Sequence, residues 1–388
     1  MTPAVLLDVA WWAATAFLAV QVAVFAVNAV TFPRLDVVGR AARRAGGGPG
    51  GRDRRPDDAA VGDAVSLLVP ARNEAATLPD TLPALLAQGA GETIVVDDRS
   101  TDGTADVVRR LQATHPTLHL VEGAALPAGW SGKNWACHQA ARAARGDVLV
   151  FTDADVVWRP GALTTLLAQL RRTGAGLATV WPRQRTVGWA ERIAVPQVDL
   201  VLLGGLPHPL VGRTPFASLA AANGQVMAWT RDAYAHTGGH EALRGEVLED
   251  VRLAQRAKAR GVRLWLGLGG AALEARMYRT PTEVVDGFAK NVRAAAGSPA
   301  LLAVLVLLNA LAYTAAWPLA WLDARFLLPA VAGVAFRAGV AAKVGRPPRE
   351  AVLQPLGPLA LLAVVLRAAS WRGGYVWRGR RYGAEGSR

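Results

Sequence analysis

The stretch DVLVFTDADVVWRP, residues 147–160, carries an apolar run into two aspartates and then a proline. Asp153 and Asp155 are two positions apart, so on an extended chain their side chains point the same way. Together they suit a hard divalent cation that bridges a diphosphate. An Asx turn before a helix that Pro160 opens is the structural alternative. Because the pair ends an apolar strand, we favour the binding interpretation.

Two similar apolar runs precede this one along the chain. VSLLVP at 65–70 and TIVVD at 93–97 are predicted strands, and helices are predicted near 77–88, 101–114 and 132–145. Strands that alternate with helices of this length predict an α/β fold with a mostly parallel sheet. Ligands of such sheets bind beyond the carboxyl ends of the strands.

Polar residues follow each of the first two predicted strands, within VPARNEAATL (69–78) and VDDRSTDGT (96–104). Adjacent carboxylates such as Asp97 and Asp98 are costly at a strand end without a partner. A nucleoside, which is rich in hydrogen-bond donors, would provide one. The alternative for both stretches is a capped helix start with solvated charges.

Two helix starts carry further candidates. WSGKNWA (130–136) contains Lys133, one of four lysines, where glycine and ammonium can approach a phosphate. LEDVRLAQRAKARG (248–261) predicts a helix with Glu249 and Asp250 in its first turn. The helix dipole alone would favour acids there, whereas a buried carboxylate could serve as a general base.

Composition narrows the class of protein. The 388-residue chain is 52% hydrophobic, which points to a membrane component, and its single cysteine excludes an intramolecular disulfide. The net charge is +13, but the arginines concentrate beside apolar segments at 34–55 and 372–381. This pattern fits the positive-inside rule and anionic lipid better than a nucleic acid, so no nucleic-acid partner is expected.

Four apolar blocks are long enough to meet a bilayer, at 4–32, 299–322, 326–342 and 351–370. The first lacks the positive start and short core of a signal peptide, which favours an uncleaved anchor. With the soluble domain inside, the second block exits and the third returns. A full fourth crossing would place the last arginines outside, so we favour a re-entrant or interfacial fourth segment.

These features predict five parts of the chain. They are an amino-terminal transmembrane anchor at 1–33, a flexible Arg/Gly-rich linker at 34–63, a soluble α/β domain at 64–297, membrane segments at 298–371 and a basic cytoplasmic tail at 372–388.

Taken together, the motifs over about 66–295 resemble a family 2 glycosyltransferase with a GT-A domain, which is Rossmann-like. More narrowly, the chain is similar to bacterial glycosyltransferases associated with carotenoid and hopanoid lipids. The stretches that carry this similarity are LPAGWSGKNWAC (126–137), AANGQVMAW (221–229), MYRTPTEVVDGFAKN (277–291) and WRGGYVWRGRRY (371–382). The QxxRW motif of processive synthases is missing, which favours the transfer of one sugar.

The resemblance implies a site and a reaction. A single sugar would pass with inversion from a nucleotide-sugar, by family default UDP-glucose, to an apolar lipid, with Mn²⁺ or Mg²⁺ as cofactor. Asp250 would be the catalytic base beside Glu249, and Asp155 and Asp153 would bind the metal. The candidate nucleotide-sugar residues are Pro70, Arg72, Glu74, Asp97, Asp98, Asp102, Lys133 and Asp153. The candidate acceptor residues are Gly224, Gln225, His240 and Arg279.

Three questions stay open from the sequence. Family 2 motifs do not name the acceptor, so a polyprenyl-phosphate sugar transferase is the nearest alternative, and a non-catalytic membrane scaffold is the alternative from another class. Residues 186–211 either lie at the membrane surface and shape a lipid entrance or pack in a core. The expected location is the bacterial cell membrane, with the catalytic domain in the cytoplasm.

Overall fold

The computed structural model describes residues 2–35, 64–295, 298–371 and 374–382. They form two compact units. The sheet unit contains Pro33–Arg183, Leu210–Arg276 and the residues from Arg378 onward, and the helical unit contains the rest. Of the predicted linker, residues 36–63 lie outside the described part of the chain, as do residues 372, 373 and 383–388 of the predicted tail.

The sheet unit is built on a seven-stranded mixed sheet in the order β3-β2-β1-β4-β8-β6-β9, with a smaller sheet β5-β10-β7. The strands are β1 (Val65–Ala71), β2 (Glu92–Asp97), β3 (Leu118–Glu122), β4 (Val148–Thr152), β5 (Val156–Trp158), β6 (Leu177–Trp181), β7 (Arg183–Gln184), β8 (Val226–Thr230), β9 (Leu264–Leu268) and β10 (Leu273–Ala275). The surrounding helices are α2 (Leu78–Leu86), α3 (Thr104–Gln112), α4 (Gly132–Ala143), α5 (Ala162–Thr173), α8 (Arg231–Thr237) and α9 (Glu249–Ala259).

Strand β1 lies between β2 and β4 and is parallel to both. In the seven-stranded sheet of the described residues, only β8 runs antiparallel to its neighbours, β4 and β6, so the prediction of a mostly parallel sheet with helices is confirmed. Strands covered on both faces need continuous apolar runs, which explains the sequence VSLLVP. Pro70 lacks an N–H group, and it lies beyond Leu68, where the pairing of β1 with β4 has ended.

The helical unit carries the apolar blocks. Its helices are α1 (Pro3–Thr31), α6 (Trp189–Gly205), α10 (Pro281–Ala295), α11 (Pro299–Asn309), α12 (Ala316–Leu319), α13 (Leu327–Val344) and α14 (Gly357–Ser370); α7 (His208–Arg213) begins at its boundary. A π-helical turn at Ala310–Ala315 joins α11 to α12, and 3₁₀ turns at Ala324–Phe326 and Pro348–Leu356 precede α13 and α14. Among the described residues, four segments are long and apolar enough to cross a membrane, namely Pro3–Thr31, Pro299–Leu319, Ala324–Val344 and Pro348–Ser370.

Contacts within this unit fix the directions of its helices. Arg325, just before α13, pairs with Asp8 near the start of α1 at 2.6 Å. Lys343, near the end of α13, donates to the carbonyl of Ala29 at 2.8 Å. Helix α13 therefore runs parallel to α1. Ala316, near the end of the segment Pro299–Leu319, packs in one cluster with Leu7, near the start of α1. That segment therefore runs antiparallel to α1.

The fourth apolar segment begins and ends beside different partners. The hydroxyl of Thr314 donates to the carbonyl of Pro355 at 2.7 Å. At the other end, Arg367 pairs with Asp286 of α10 at 2.6 Å, and Arg293 donates to the carbonyl of Trp371 at 2.6 Å. The end of α14 thus packs against α10.

The stretch 186–211 forms α6 and the start of α7. The side-chain amide of Asn28 in α1 donates to the carbonyls of Leu203 and Leu206, at 2.8 and 2.9 Å. On α6, the side chains of Trp189 and Val201 are each about 70% exposed. Helix α6 is therefore partly core of the helical unit and partly an exposed apolar surface.

Candidate functional site

Carboxylates gather at the ends of β1 and β4, as the sequence analysis predicts. The loop after β1 holds Asn73 at a φ of 54°, in the left-handed region, and then Glu74. The N–H of Glu74 donates to the hydroxyl of Thr104 at 2.8 Å, which fixes its backbone. Burial raises the pKa of Glu74, although Arg378 opposes this effect. Its Oε2 is buried without a partner among the described residues.

Asp153 and Asp155 follow β4. The N–H of Asp153 donates to the carbonyl of Gln225 at 3.1 Å, and one carboxylate oxygen lies 2.8 Å from Nζ of Lys133. Burial raises the pKa of Asp155 to about 7, and the nearby charges of Asp153 and Glu74 add to the effect. Oδ1 of Asp155 is buried and has no partner in the described part of the chain.

This donor set fits a divalent cation. Unpartnered buried oxygens on Asp155 and Glu74 leave like charges close together, which a cation would offset. Among the described residues, no group of three or more His, Cys, Asp or Glu side chains is arranged to hold a metal alone. Oxygens of a bound diphosphate would therefore have to complete the coordination.

Lys133 joins this cluster to the start of α9. Ser131 caps α4 by accepting the N–H of Asn134, which places Lys133 in the first turn. Its Nζ lies 3.0 Å from Oε1 of Glu249, opposite its contact with Asp153. Burial acts to lower the pKa of Lys133, but the two carboxylates outweigh it and the pKa lies well above its usual value. Burial likewise acts against the charge of Glu249, and Lys133 reverses this, so its pKa is lowered.

Asp250 lies beside Glu249 with its carboxylate held by two backbone groups. The N–H of Gly224 donates to Oδ2 and that of Val251 to Oδ1, both at 2.8 Å. Burial and then the charge of Glu249 raise its pKa to about 6. A Cβ at Gly224 would lie 3.1 Å from both Nζ of Lys133 and Oε1 of Glu249, so only glycine fits without displacement. A held carboxylate with this pKa is suited to general-base catalysis.

The end of β2 supplies Asp97 and Asp98, both buried. Oδ1 of Asp97 has no partner among the described residues. Burial raises the pKa of Asp98 against the effect of Arg380, whose guanidinium contacts both carboxylate oxygens at 2.7 and 3.1 Å. Asp102 instead accepts the N–H groups of Thr104 and Ala75, so it ties two loops together.

The remaining predicted residues have different surroundings. Gln225 is buried next to Gly224. His240 is buried with its Nδ1 2.8 Å from the Tyr234 hydroxyl, and burial lowers its pKa to about 3, which favours packing over acceptor binding. Arg279 is exposed in the helical unit, before α10. The acceptor role of all four candidates stays a prediction.

Sequence reasoning missed two residues at this site, Arg378 and Arg380. They pair with Glu74 and Asp98 respectively. The sequence analysis assigned them to a basic tail, because arginines beside an apolar segment match the positive-inside pattern. The only available signal was the stretch WRGGYVWRGRRY, which carried the family resemblance without a role.

Replacing Lys133 with methionine is expected to lower the stability of the protein. The change leaves Asp153 and Glu249 without the cation between them. Because the Lys133 side chain is partly exposed in both ion pairs, we expect the free energy of unfolding to fall by about 1–3 kcal/mol. Thermal unfolding in detergent would measure it. A second change, Glu249→Gln, should restore part of the stability; no coupling between the two positions would contradict the bridging role.

Comparisons with known proteins show what the chain is similar to. Residues 66–223 match the model of glycosyl transferase family 2. The 4,4'-diaponeurosporenoate glycosyltransferase of Staphylococcus haemolyticus is 26% identical over 255 residues, which cover 63% of this chain and 65% of that relative. The undecaprenyl-phosphate mannosyltransferase of Micrococcus luteus is 32% identical over 157 residues, or 36% of this chain and 60% of that one.

A solved mannosyltransferase from Pyrobaculum calidifontis, in complex with GDP-Man and Mn²⁺, aligns over 93% of this chain and 99% of its own at 21% identity and a TM-score of 0.48. The chain thus spans just under two thirds of the length of each of the two curated relatives. The matched residues include both loops after β1 and β2, the Asp153–Asp155 pair and Gly132–Lys133. Residues 66–223 of this chain are thus similar to glycosyl transferase family 2.

Proposed function

We propose that this protein transfers one sugar, with inversion, from a nucleotide-sugar to an apolar membrane lipid. One observation carries the proposal: Lys133 connects Asp153, at the end of β4, to Glu249 and the adjacent Asp250. A diphosphate-binding carboxylate and a candidate base are thereby brought into one cluster. UDP-glucose is the donor we would test first, and a carotenoid or hopanoid the acceptor.

The acids at the ends of β1, β2 and β4 would bind the donor. Asp97 and Asp98 would accept hydrogen bonds from the nucleoside, with Glu74 beside them. Asp155 and Asp153 would hold Mn²⁺ or Mg²⁺ on the diphosphate. When bound, the cation neutralises charge that develops on the leaving nucleoside diphosphate. Lys133, whose ammonium keeps its charge at this site, adds a fixed positive charge to the same end.

Asp250 would accept the proton of the attacking hydroxyl. The acceptor oxygen bonds to the anomeric carbon as the bond from that carbon to the diphosphate oxygen breaks. The proton passes to the Asp250 carboxylate, which the N–H groups of Gly224 and Val251 hold in place. Glu249, neutralised by Lys133, would keep its charge throughout and serve to position the ammonium.

The lipid nature of the acceptor is supported by the four apolar segments and by the exposed Trp189 and Val201 of α6. We propose that the protein resides in the bacterial cell membrane with its glycosyltransferase domain in the cytoplasm. The arginines between 34 and 55 fit that orientation. The relative from Micrococcus luteus makes a polyprenyl phosphate the second acceptor class to test.

Sugar transfer in membranes that contain the protein is the direct test. Labelled UDP-glucose, Mn²⁺ or Mg²⁺ and a lipid extract with carotenoids and hopanoids are supplied, with a polyprenyl phosphate in a parallel arm. A labelled lipid whose formation needs the metal supports the proposal, and its mass identifies the acceptor. If the protein shows no sugar transfer and no metal-dependent binding of any nucleoside diphosphate, the proposal is rejected in favour of a scaffold.

A further inference from the structure

The carboxyl-terminal segment of the sheet unit lies against the two acids assigned to the nucleotide. It forms a turn at Arg378 and Gly379 after β11 (Tyr375–Trp377), and β12 (Arg380–Tyr382) follows. Arg380 binds both oxygens of Asp98, and its side chain is 15% exposed. Arg378 lies 3.1 Å from Oε1 of Glu74. Both carboxylates are thus held by the last described residues of the chain.

The backbone around these pairs is strained. Among the described residues, three that are not glycine have a positive φ, and all three belong to this place: Asn73 (54°), Arg99 (57°) and Arg378 (48°). Arg72 connects them, because its guanidinium donates to the carbonyls of Arg378, at 2.9 Å, and Arg99, at 3.2 Å. Such strain persists where the surroundings impose it, and it concentrates at binding sites.

The start of α4 is shaped to admit this segment. A Cβ on Gly132 would collide with the guanidinium of Arg380 and would lie 2.8 Å from a carboxylate oxygen of Asp98. Glycine at this position therefore lets Arg380 reach Asp98 directly beside Lys133. The adjacent Arg381 is exposed and forms none of the ion pairs found among the described residues.

We propose that the Arg378–Arg380 turn completes the donor site: Arg380 is a positioning residue that holds the Asp98 carboxylate, and Arg378 does the same for Glu74, so that both can accept hydrogen bonds from the nucleoside. This inference rests on the proposed function. A carboxylate has about four lone-pair positions, and a bidentate guanidinium takes two of them. Asp98 thus keeps acceptor capacity for a ligand while Arg380 offsets the cost of burying its charge.

The test compares Arg380→Ala, Arg380→Lys, Arg378→Ala and Gly132→Ala in the full-length protein, with Arg381→Ala as the matched control. The binding of UDP and of GDP in the presence of Mn²⁺ is measured by calorimetry in detergent. Loss of a charge-assisted pair predicts at least about tenfold weaker binding for Arg380→Ala. Arg380→Lys should recover part of it, and Gly132→Ala should weaken binding by displacing Arg380.

A role confined to folding is separated by two further readouts. Thermal unfolding checks that each variant is folded, and kcat at saturating donor should change far less than KM for the donor. In an Asp98→Asn background, Arg380→Ala should add little, because the carboxylate that it holds is gone.

The outcomes distinguish the inference from the function on which it rests. Weaker binding by the Arg378, Arg380 and Gly132 variants, with Arg381→Ala unchanged, supports it. If the wild type binds a nucleotide and the Arg378→Ala and Arg380→Ala variants bind it equally well or more tightly, the inference is overturned and the proposed function still stands. Tighter binding would mean that the turn competes with the donor. A wild-type protein that binds neither nucleotide overturns both.

Discussion

Asp155→Asn should abolish metal-dependent donor binding and, with it, sugar transfer. The substitution removes the charge of a buried carboxylate whose Oδ1 has no partner among the described residues. If a metal contributes several kcal/mol to charge stabilisation, the loss is at least about a hundredfold in kcat/KM. Calorimetry with UDP and Mn²⁺, beside the transfer assay, measures both effects.

The same variant should not unfold the protein. Asp153 and Glu74 disfavour the charge on Asp155, so the neutral amide removes repulsion in the metal-free state. We expect Mn²⁺ to raise the Tm of the wild type and not that of Asp155→Asn, because only a ligand that binds the folded state stabilises it. Asp106→Asn, at an exposed surface pair, is the matched control. An Asp155→Asn protein with unchanged metal-dependent binding would refute the assigned metal site.

Asp250→Asn should lower kcat by a factor of about 10²–10⁴ and leave donor binding nearly unchanged, since general-base catalysis contributes that much. As the proposed base, Asp250 would be active in its charged form. Because burial raises its pKa to about 6, we expect kcat/KM to rise as the pH increases through about 6 and to level off above it. Glu246→Gln, which changes an exposed carboxylate just before α9, is the control.

The size of the Asp250 effect also reports on the acceptor. A hydroxyl acceptor must lose its proton, whereas a carboxylate acceptor is already ionised and needs no base. A large loss of kcat with a hydroxyl lipid and a small one with a carboxylate lipid would fit the proposed role. Equal losses with both acceptors would mean that Asp250 acts by holding the site together and not by accepting a proton.

The sequence predicts strands β1, β2 and β4 well, because these strands are buried and therefore largely apolar. It also predicts which residues follow those strands. It does not predict that Lys133 bridges Asp153 and Glu249, since that contact joins elements far apart in the chain. Charge pattern was misleading at Arg378 and Arg380, where a cation that binds a buried carboxylate looks the same as one that binds a lipid headgroup.

For the proposed membrane location, the contact between Arg380 and Asp98 has a consequence for the path of the polypeptide. Both residues belong to the sheet unit, so the chain leaves that unit after Arg276 and comes back to it at Arg378. If the protein spans a membrane as proposed, the number of complete crossings between Arg276 and Arg378 would be even, although three apolar segments occur there. A carboxyl-terminal tag should accordingly be reached only by probes that also reach the glycosyltransferase domain.

The segment predicted not to cross completely is the last one, Pro348–Ser370. Its first part contacts Thr314, in the segment Pro299–Leu319, and its end contacts Asp286 and Arg293 of α10. The predicted re-entrant segment, which would enter and leave through one leaflet, would satisfy both these contacts and the even count. In the proposed topology, the membrane path would keep Arg378 and Arg380 on the side of the sheet unit, where they form their ion pairs with Glu74 and Asp98.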